Sequence, residues 1–388
     1  MNNFTYYNPV RIVFGMGSIA KLGGLLAGHQ RILLAYGGGS IMKNGVHAQV
    51  RAALATITPA PQVFEFGGIE PNPRYETLMP AVALVKRERI DFLLAVGGGS
   101  VLDGVKFIAA AALFAGADAW DIAARGAAIQ QALPLGSVMT LPATGSEMNG
   151  NSVVSRNSTG EKLAFSSPRL LPQFSILDPA TTLSLPDRQV ANGIVDAFVH
   201  VHEQYMTTAL DAPLQDRQAE AVLMTLIEQA PLVRQRPDDL AVRANLMWCA
   251  THALNDIIAC GVPQDWSSHI IGHELTALYG LDHAQTLAIV LPGVWDNQFA
   301  VKRPKLAQYG RRVWNLQGPD DAVARKAIER TAAFFEAVGT PVRFAVYNID
   351  AARAAEQVVA RLAARGHTSI GERGAISLED VRRIVAGR

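Results

Sequence analysis

Cysteine occurs only twice in the 388 residues, at Cys249 and Cys260. Two thiols outside C-x-x-C spacing make neither a disulfide framework nor a thiol redox motif, so buried free thiols are expected. Long apolar runs are missing as well, since none approaches the roughly 20 residues that a spanning helix needs. The opening MNNFTYYNPVRIVFG lacks a charged n-region, an apolar h-region and a small-residue cleavage site, which points to a cytoplasmic protein. Charge of one sign is the third absence: 35 basic residues face 34 acidic ones, for a net +1 with no long single-sign block. Nucleic acid and anionic membrane surfaces are therefore not expected as partners.

What is present is an ordinary globular composition, 49% hydrophobic and 18% charged, in a chain long enough for two domains. VRIVFG (10–15), RILLAY (31–36), PQVFEF (61–66), DFLLAVG (91–97), GSVMTLP (136–142) and FSILDP (174–179) read as strands, several of them apolar on both faces. Helical patterns such as 75–90 and 104–115 separate them. That alternation predicts an α/β, Rossmann-like parallel sheet covered on both faces over residues 1–181. From 182 to 388 the patterns at 216–233, 241–258 and 324–339 carry apolar residues at helical spacing, so an all-helical second domain is expected. The turn-rich 177–189 is the expected hinge.

Two GGGS tetrapeptides follow strands: Gly37, Gly38, Gly39 and Ser40 after RILLAY, and Gly97, Gly98, Gly99 and Ser100 after DFLLAV. Glycine lets backbone N–H groups approach a phosphate, and a helix starting just beyond adds its positive end. Neither loop completes G-x-G-x-x-G, yet two at strand ends in one α/β half favour a dinucleotide. Asp103 and Lys106 fall in the first turns after the second loop, with Asp103 a candidate for the ribose or nicotinamide side. LPATGSEMNG (141–150) follows another strand and offers Thr144, Ser146 and Asn149. No carboxylate follows Tyr36, where NAD-preferring enzymes commonly hold the ribose 2′-hydroxyl, so NADP(H) is the expected cofactor.

ANGIVDAFVHVHEQY (191–205) places Asp196, His200, His202 and Glu203 close together. On a helix, Asp196 and His200 face the same way and can grip one ion, His202 points far around, and Glu203 stays geometrically possible. SSHIIGHELTALYGLDHAQ (267–285) adds His269, His273, Glu274, Asp282 and His283. H-E-x-x-H is absent, because Ala277 stands where the second histidine belongs. Imidazoles with one carboxylate suit Zn²⁺ or Fe²⁺ over Mg²⁺ or Ca²⁺.

Taken together, the GGGS loops, EPNP (70–73), LPATGSEMN (141–149), the Asp196/His200 pair and H-x-x-x-H followed ten residues later by His283 resemble the iron-containing, or group III, alcohol dehydrogenases. Within that family the likeness is greatest to butanol-dehydrogenase-like NADPH-dependent aldehyde reductases, and it runs over almost the whole chain. The resemblance implies an N-terminal dinucleotide domain and a C-terminal helical metal-binding domain. It makes Asp196, His200, His269 and His283 ligands of one divalent metal, Fe²⁺ or Zn²⁺, with His273 and His283 handling protons. It assigns the cofactor to the two GGGS loops, Asp103, Thr140 to Ser146 with Thr144, and Lys162, to which the polar loop read above adds Asn149. His202 has no family role and is expected to be exposed or structural, and Glu203 is expected to be structural because the ligand set is full. Small aldehydes or alcohols are the implied substrates, and Asn149, Phe165 and Trp266 are candidates for the pocket wall. A homodimer through VRIVFG is expected as in relatives, with an internal sheet edge as the alternative. The rivals are a dehydroquinate-synthase-like metal-dependent lyase or cyclase on the same scaffold, and a metal-loaded NADP-binding regulator without turnover.

Overall fold

The computed structural model describes residues 1–388, and all six expected strands form. They are β1 (Arg11–Phe14), β2 (Arg31–Tyr36), β3 (Gln62–Phe66), β4 (Phe92–Gly98), β5 (Leu135–Leu141) and, after a hairpin, β8 (Phe174–Leu177). One parallel sheet orders them β1-β8-β5-β4-β2-β3, with pairs such as Leu34 beside Leu94 and Val96 beside Val138. β4 and β8 are buried almost throughout, whereas the edge strands β1 and β3 carry exposed positions. The doubly apolar strands lie inside because only interior strands are covered on both faces.

The period of two along each strand separates two cores. Ile32, Leu34, Phe92, Leu94 and Val96 pack on one side with Leu22, Val50 and Leu54. Leu33, Ala35, Leu93 and Ala95 pack on the other with Leu78, Leu102, Val105 and Phe107, the last three from the helix Gly99–Ala111. The hairpin β6 (Asn151–Arg156) and β7 (Glu161–Ser166) had no expectation attached to it. Its turn residues Asn157, Ser158 and Gly160 were its only local signal.

The α/β unit comprises Tyr7–Leu185 together with Pro237–Thr251. Read by pattern alone, 241–258 belongs to the helical domain as one continuous helix. Instead the helix Leu240–Ala253 ends earlier, Met247 joins the core of the α/β unit, and Thr251 donates to Glu147 at 2.5 Å. The other unit is Met1–Tyr6, Pro186–Arg236 and His252–Arg388. It is built mainly of helices, including Asp187–Tyr205, Pro213–Gln235, Ser267–Tyr279, His283–Asn297 and Asp320–Val338. It is not all-helical: β9 (Ser369–Ile370) and β10 (Ile376–Ser377) form a short antiparallel ribbon, too brief to leave a periodic signal. Both cysteines are buried free thiols, as expected. No helix is long and apolar enough to cross a membrane.

Candidate functional site

The helix Asp187–Tyr205 is buried at every position from Ala191 to Tyr205, so its polar residues sit among other helices. Asp196 and His200, one turn apart, share a face. His269 comes from the helix Ser267–Tyr279, and His283 opens the helix His283–Asn297, whose start is held by a capping box of Asp282 with Gln285. Asn192 secures that start by donating to Asp282 at 2.7 Å. One ligand atom from each of Asp196, His200, His269 and His283 lies within 4.8 Å of all the others. Asp196 Oδ1 is 3.8 Å from His200 Nε2 and 3.7 Å from His283 Nε2. Donors about 2.1 Å from one tetrahedral ion stand about 3.4 Å apart, so three imidazoles and one carboxylate at these separations fit a single divalent cation of the Zn²⁺ or Fe²⁺ kind.

The remaining candidates of this unit part company. His273 is half-buried with its ring centre 5.1 Å from that of His283, beside the cluster but outside it. Glu274 points elsewhere and is clamped by Arg361, at 2.5 Å, and by Arg365. Glu203 does belong to the site's surroundings: its Oε1 lies 3.1 Å from His269 Nδ1. Burial first, and then the charge of Asp265, push the Glu203 carboxyl up to about 8, against Lys302 and the His269 backbone N–H. A divalent cation held by the cluster adds positive charge nearby and acts in the same downward sense as Lys302. Trp266 adopts a left-handed backbone (φ 60°) just before the His269 helix, with its ring 5.0 Å from His269 and 6.2 Å from His200. A bulky residue in that region is strained and persists only where its surroundings enforce it. Of the other wall candidates, Phe165 packs edge-on to Phe107 in the core.

In the α/β unit the two glycine loops differ. A Cβ on Gly97, Gly98 or Gly99 would collide with Val101, Leu141 or Thr144 at 2.5, 2.9 and 2.3 Å, so these glycines permit tight packing at the start of the helix Gly99–Ala111. Gly38 and Gly39 face open space, and Gly39 (φ 90°) turns the chain toward Ser40. That exposed backbone is the kind of cradle a phosphate requires. The polar atoms of Asp103, Ser146 and Asn149 are engaged with one another's neighbourhood: Asp103 accepts from the Ser146 hydroxyl at 2.8 Å and from Val153 N–H at 3.0 Å, and Asn149 donates to Gly145 O at 2.9 Å. Thr144 accepts from Ser146 N–H, and Thr140 is buried on β5. Lys162, on β7, donates to Asn72 Oδ1 at 2.7 Å, while Asn72 N–H reaches Ser100 Oγ at 3.4 Å. EPNP thus joins the second glycine loop to the hairpin.

The family model described as iron-containing alcohol dehydrogenase matches residues 9–179, and its C-terminal companion matches 190–387. The chain belongs to the iron-containing alcohol dehydrogenases. It is similar to the NADPH-dependent aldehyde reductase YqhD of Escherichia coli K-12, at 52% identity over 99% of both chains. The solved substrate- and cofactor-free form of that reductase matches with a TM-score of 0.92 at 50% identity, covering 100% of both chains. NADH-dependent butanol dehydrogenase A of Thermotoga maritima gives a TM-score of 0.94 at 36% identity, covering 99% of this chain and 98% of its own. These relatives are alcohol or aldehyde oxidoreductases, which leaves the lyase or cyclase alternative without support. Their names divide between NADH and NADPH, so cofactor choice has to be read from the residues of each chain.

His202 sets this alcohol dehydrogenase's metal-site helix a separate problem. Of the two expectations, exposed or structural, the structure supports the second, for the side chain is 1% accessible and lies among Phe198, Trp295 and Tyr309, with ring centres 4.6 to 4.8 Å away. Two residues beyond His200 its side chain turns by about 200°, into this aromatic nest. Neither ring nitrogen meets a hydrogen-bond partner, and burial holds the imidazole neutral, well below its ordinary pKa. A buried polar atom without a partner costs about 1–3 kcal/mol. His202→Leu, close in volume, is expected to raise unfolding stability by about 1 kcal/mol or more, measured by denaturant titration of metal-free protein; a less stable variant contradicts the packing account.

Proposed function

We propose that this iron-containing alcohol dehydrogenase catalyses reversible hydride transfer between NADP(H) and aldehydes or primary alcohols, with one divalent metal, Fe²⁺ or Zn²⁺, held by Asp196, His200, His269 and His283. The four-residue ligand cluster carries this reading, because three imidazoles with one carboxylate leave a coordination position for a substrate oxygen. When bound, the metal supplies Lewis-acid stabilisation to an oxygen that gains negative charge during reduction. His273, half-buried beside His283, passes the proton that this oxygen acquires to and from solvent. Trp266 walls the substrate pocket, its strained backbone being held where the ring meets two ligand imidazoles.

Gly37 to Ser40, Gly97 to Ser100, Thr140, Thr144 and Lys162 hold the dinucleotide in this reading, while Asp103, Ser146 and Asn149 shape the loop around it. With no acidic side chain among Tyr36 to Ser40 and open space at Gly38 and Gly39, the first loop leaves room for a ribose 2′-phosphate. NADPH is expected to bind at least about tenfold tighter than NADH, a difference of about 1.4 kcal/mol; tighter NADH in fluorescence titrations overturns the preference. A homodimer fits the place of β1 at the sheet edge, where Phe14 and Met16 are exposed. A cytoplasmic location accords with the two free thiols.

The test is NADPH oxidation across aldehydes of graded length, with metal analysis of the same protein. Aldehyde-dependent loss of NADPH absorbance in metal-loaded protein is expected. Binding of NADPH and metal without turnover favours the regulator instead.

A further inference from the structure

Glu203 stands three residues beyond His200 on the same buried helix, and its Oε1 receives two contacts from one residue of another helix. The backbone N–H of His269 donates to it at 3.2 Å, and His269 Nδ1 lies 3.1 Å away. A backbone N–H is only a donor, so Oε1 acts as an acceptor whether or not the other carboxyl oxygen carries a proton. An ionised Glu203 has no proton to give, so beside it Nδ1 is the protonated nitrogen of a neutral imidazole, the pairing that a cation held by the cluster favours because it needs a free ring nitrogen. The lone pair is left on Nε2, the nitrogen available to the four-residue cluster.

The surroundings fix this contact from behind. Asp265 N–H donates to Glu203 O at 2.9 Å, and Asp265 accepts from Ser267 N–H at 3.0 Å and from Lys302 Nζ at 2.7 Å. Lys302 also donates to Met206 O at 2.6 Å, just past the end of the Glu203 helix. The turn that launches His269 is thereby tied to the helix that bears Asp196, His200 and Glu203. Both carboxylate and imidazole are almost fully buried, so neither has water as an easy substitute.

We propose that Glu203 is a positioning residue for the metal: it sets the tautomer and orientation of His269 and thereby tightens metal binding. This rests on the metal reading given above and adds a residue to it. Acceptors of this kind behind a ligating histidine typically change metal affinity by about 10- to 100-fold when removed.

Glu203→Gln keeps the shape and a carbonyl acceptor but not the negative charge, and Glu203→Leu removes both. Zn²⁺ affinity is measured by competition with a chromophoric chelator, the Co²⁺ d–d absorption spectrum is recorded, and NADPH affinity and the metal-free melting curve are taken on the same samples. The expected order is wild type, then Gln weaker by several-fold, then Leu weaker by about 10- to 100-fold, with an altered Co²⁺ spectrum in Leu and NADPH affinity unchanged. Should Leu fail to fold, Gln decides. Zn²⁺ affinity within twofold of wild type in the folded variants, with only the metal-free melting temperature lowered, makes Glu203 a packing residue and overturns the proposal. Wild-type protein that takes up no stoichiometric metal overturns the metal reading itself, and this inference falls with it.

Discussion

Replacing His269 by alanine is expected to abolish metal uptake and lower aldehyde turnover by at least about 10³-fold, while NADPH affinity stays within twofold of wild type. His269 is one of four groups converging on a common point, its ring stacked 4.7 Å from His200 and its Nδ1 occupied by Glu203. Alanine leaves two imidazoles and a carboxylate in a buried site, with Glu203 keeping only the backbone N–H of its two contacts at position 269. Loss of a single hydrogen-bond donor to a developing oxyanion already costs about 10²–10³ in rate, so losing the cation costs more. NADPH is expected to be spared because the residues proposed to hold it, the glycine loops and Lys162, belong to the α/β unit, with its own core and sheet. Metal content by plasma emission, NADPH titration and turnover on one preparation check all three parts. Chelation of wild-type protein should reproduce the defect and added Zn²⁺ or Fe²⁺ should reverse it, whereas the variant should not respond. Full activity in metal-free His269→Ala protein refutes the ligand assignment.

Lys106→Met is expected to destabilise the protein by about 3–5 kcal/mol and to weaken NADPH binding at the same time. The Lys106 side chain is fully buried, and its Nζ donates to Ser146 O, Asn149 O and Asn151 O at 2.7 to 2.8 Å, as well as to the side-chain oxygens of Ser146 and Asn149. Ser146 in turn donates to Asp103. One ammonium thus gathers the loop 144–151 onto the helix Gly99–Ala111. Methionine fills similar space and leaves those acceptors without their donor, and each stranded buried acceptor carries its own desolvation cost. The loop then loses the shape that places Thr144 against Gly99. Urea unfolding of metal-free protein and NADPH titration measure the two effects. A variant with an unchanged unfolding midpoint would show that the network is not a brace.

Much of this was legible along the chain. Apolar runs of strand length with alternate residues serving two faces specify a covered parallel sheet, and the six segments from VRIVFG to FSILDP became its strands. Asp196 and His200 needed only helical periodicity, because local backbone geometry alone puts residues four apart on one side. Joining them to His269 and His283 was a different matter, since periodicity says nothing about which helices meet; there the family motifs supplied the assignment. Neighbours in the same string were under-determined for the same reason. Helical spacing turned His202 away from His200 and left Glu203 possible, but it could not say that one meets a nest of aromatic rings and the other reaches His269, sixty-six residues away.

Sequence by itself thus determined the six strands of the sheet, the glycine loops and the shared face of Asp196 and His200, since these depend on propensity, period and side-chain identity over a few turns. Tertiary structure alone decided that Lys106 is buried among five acceptors, that Glu274 is held by arginines and that Glu203 meets His269. Each of those roles depends on which distant partner a side chain meets once it has been taken out of water, and desolvation then makes that partner count.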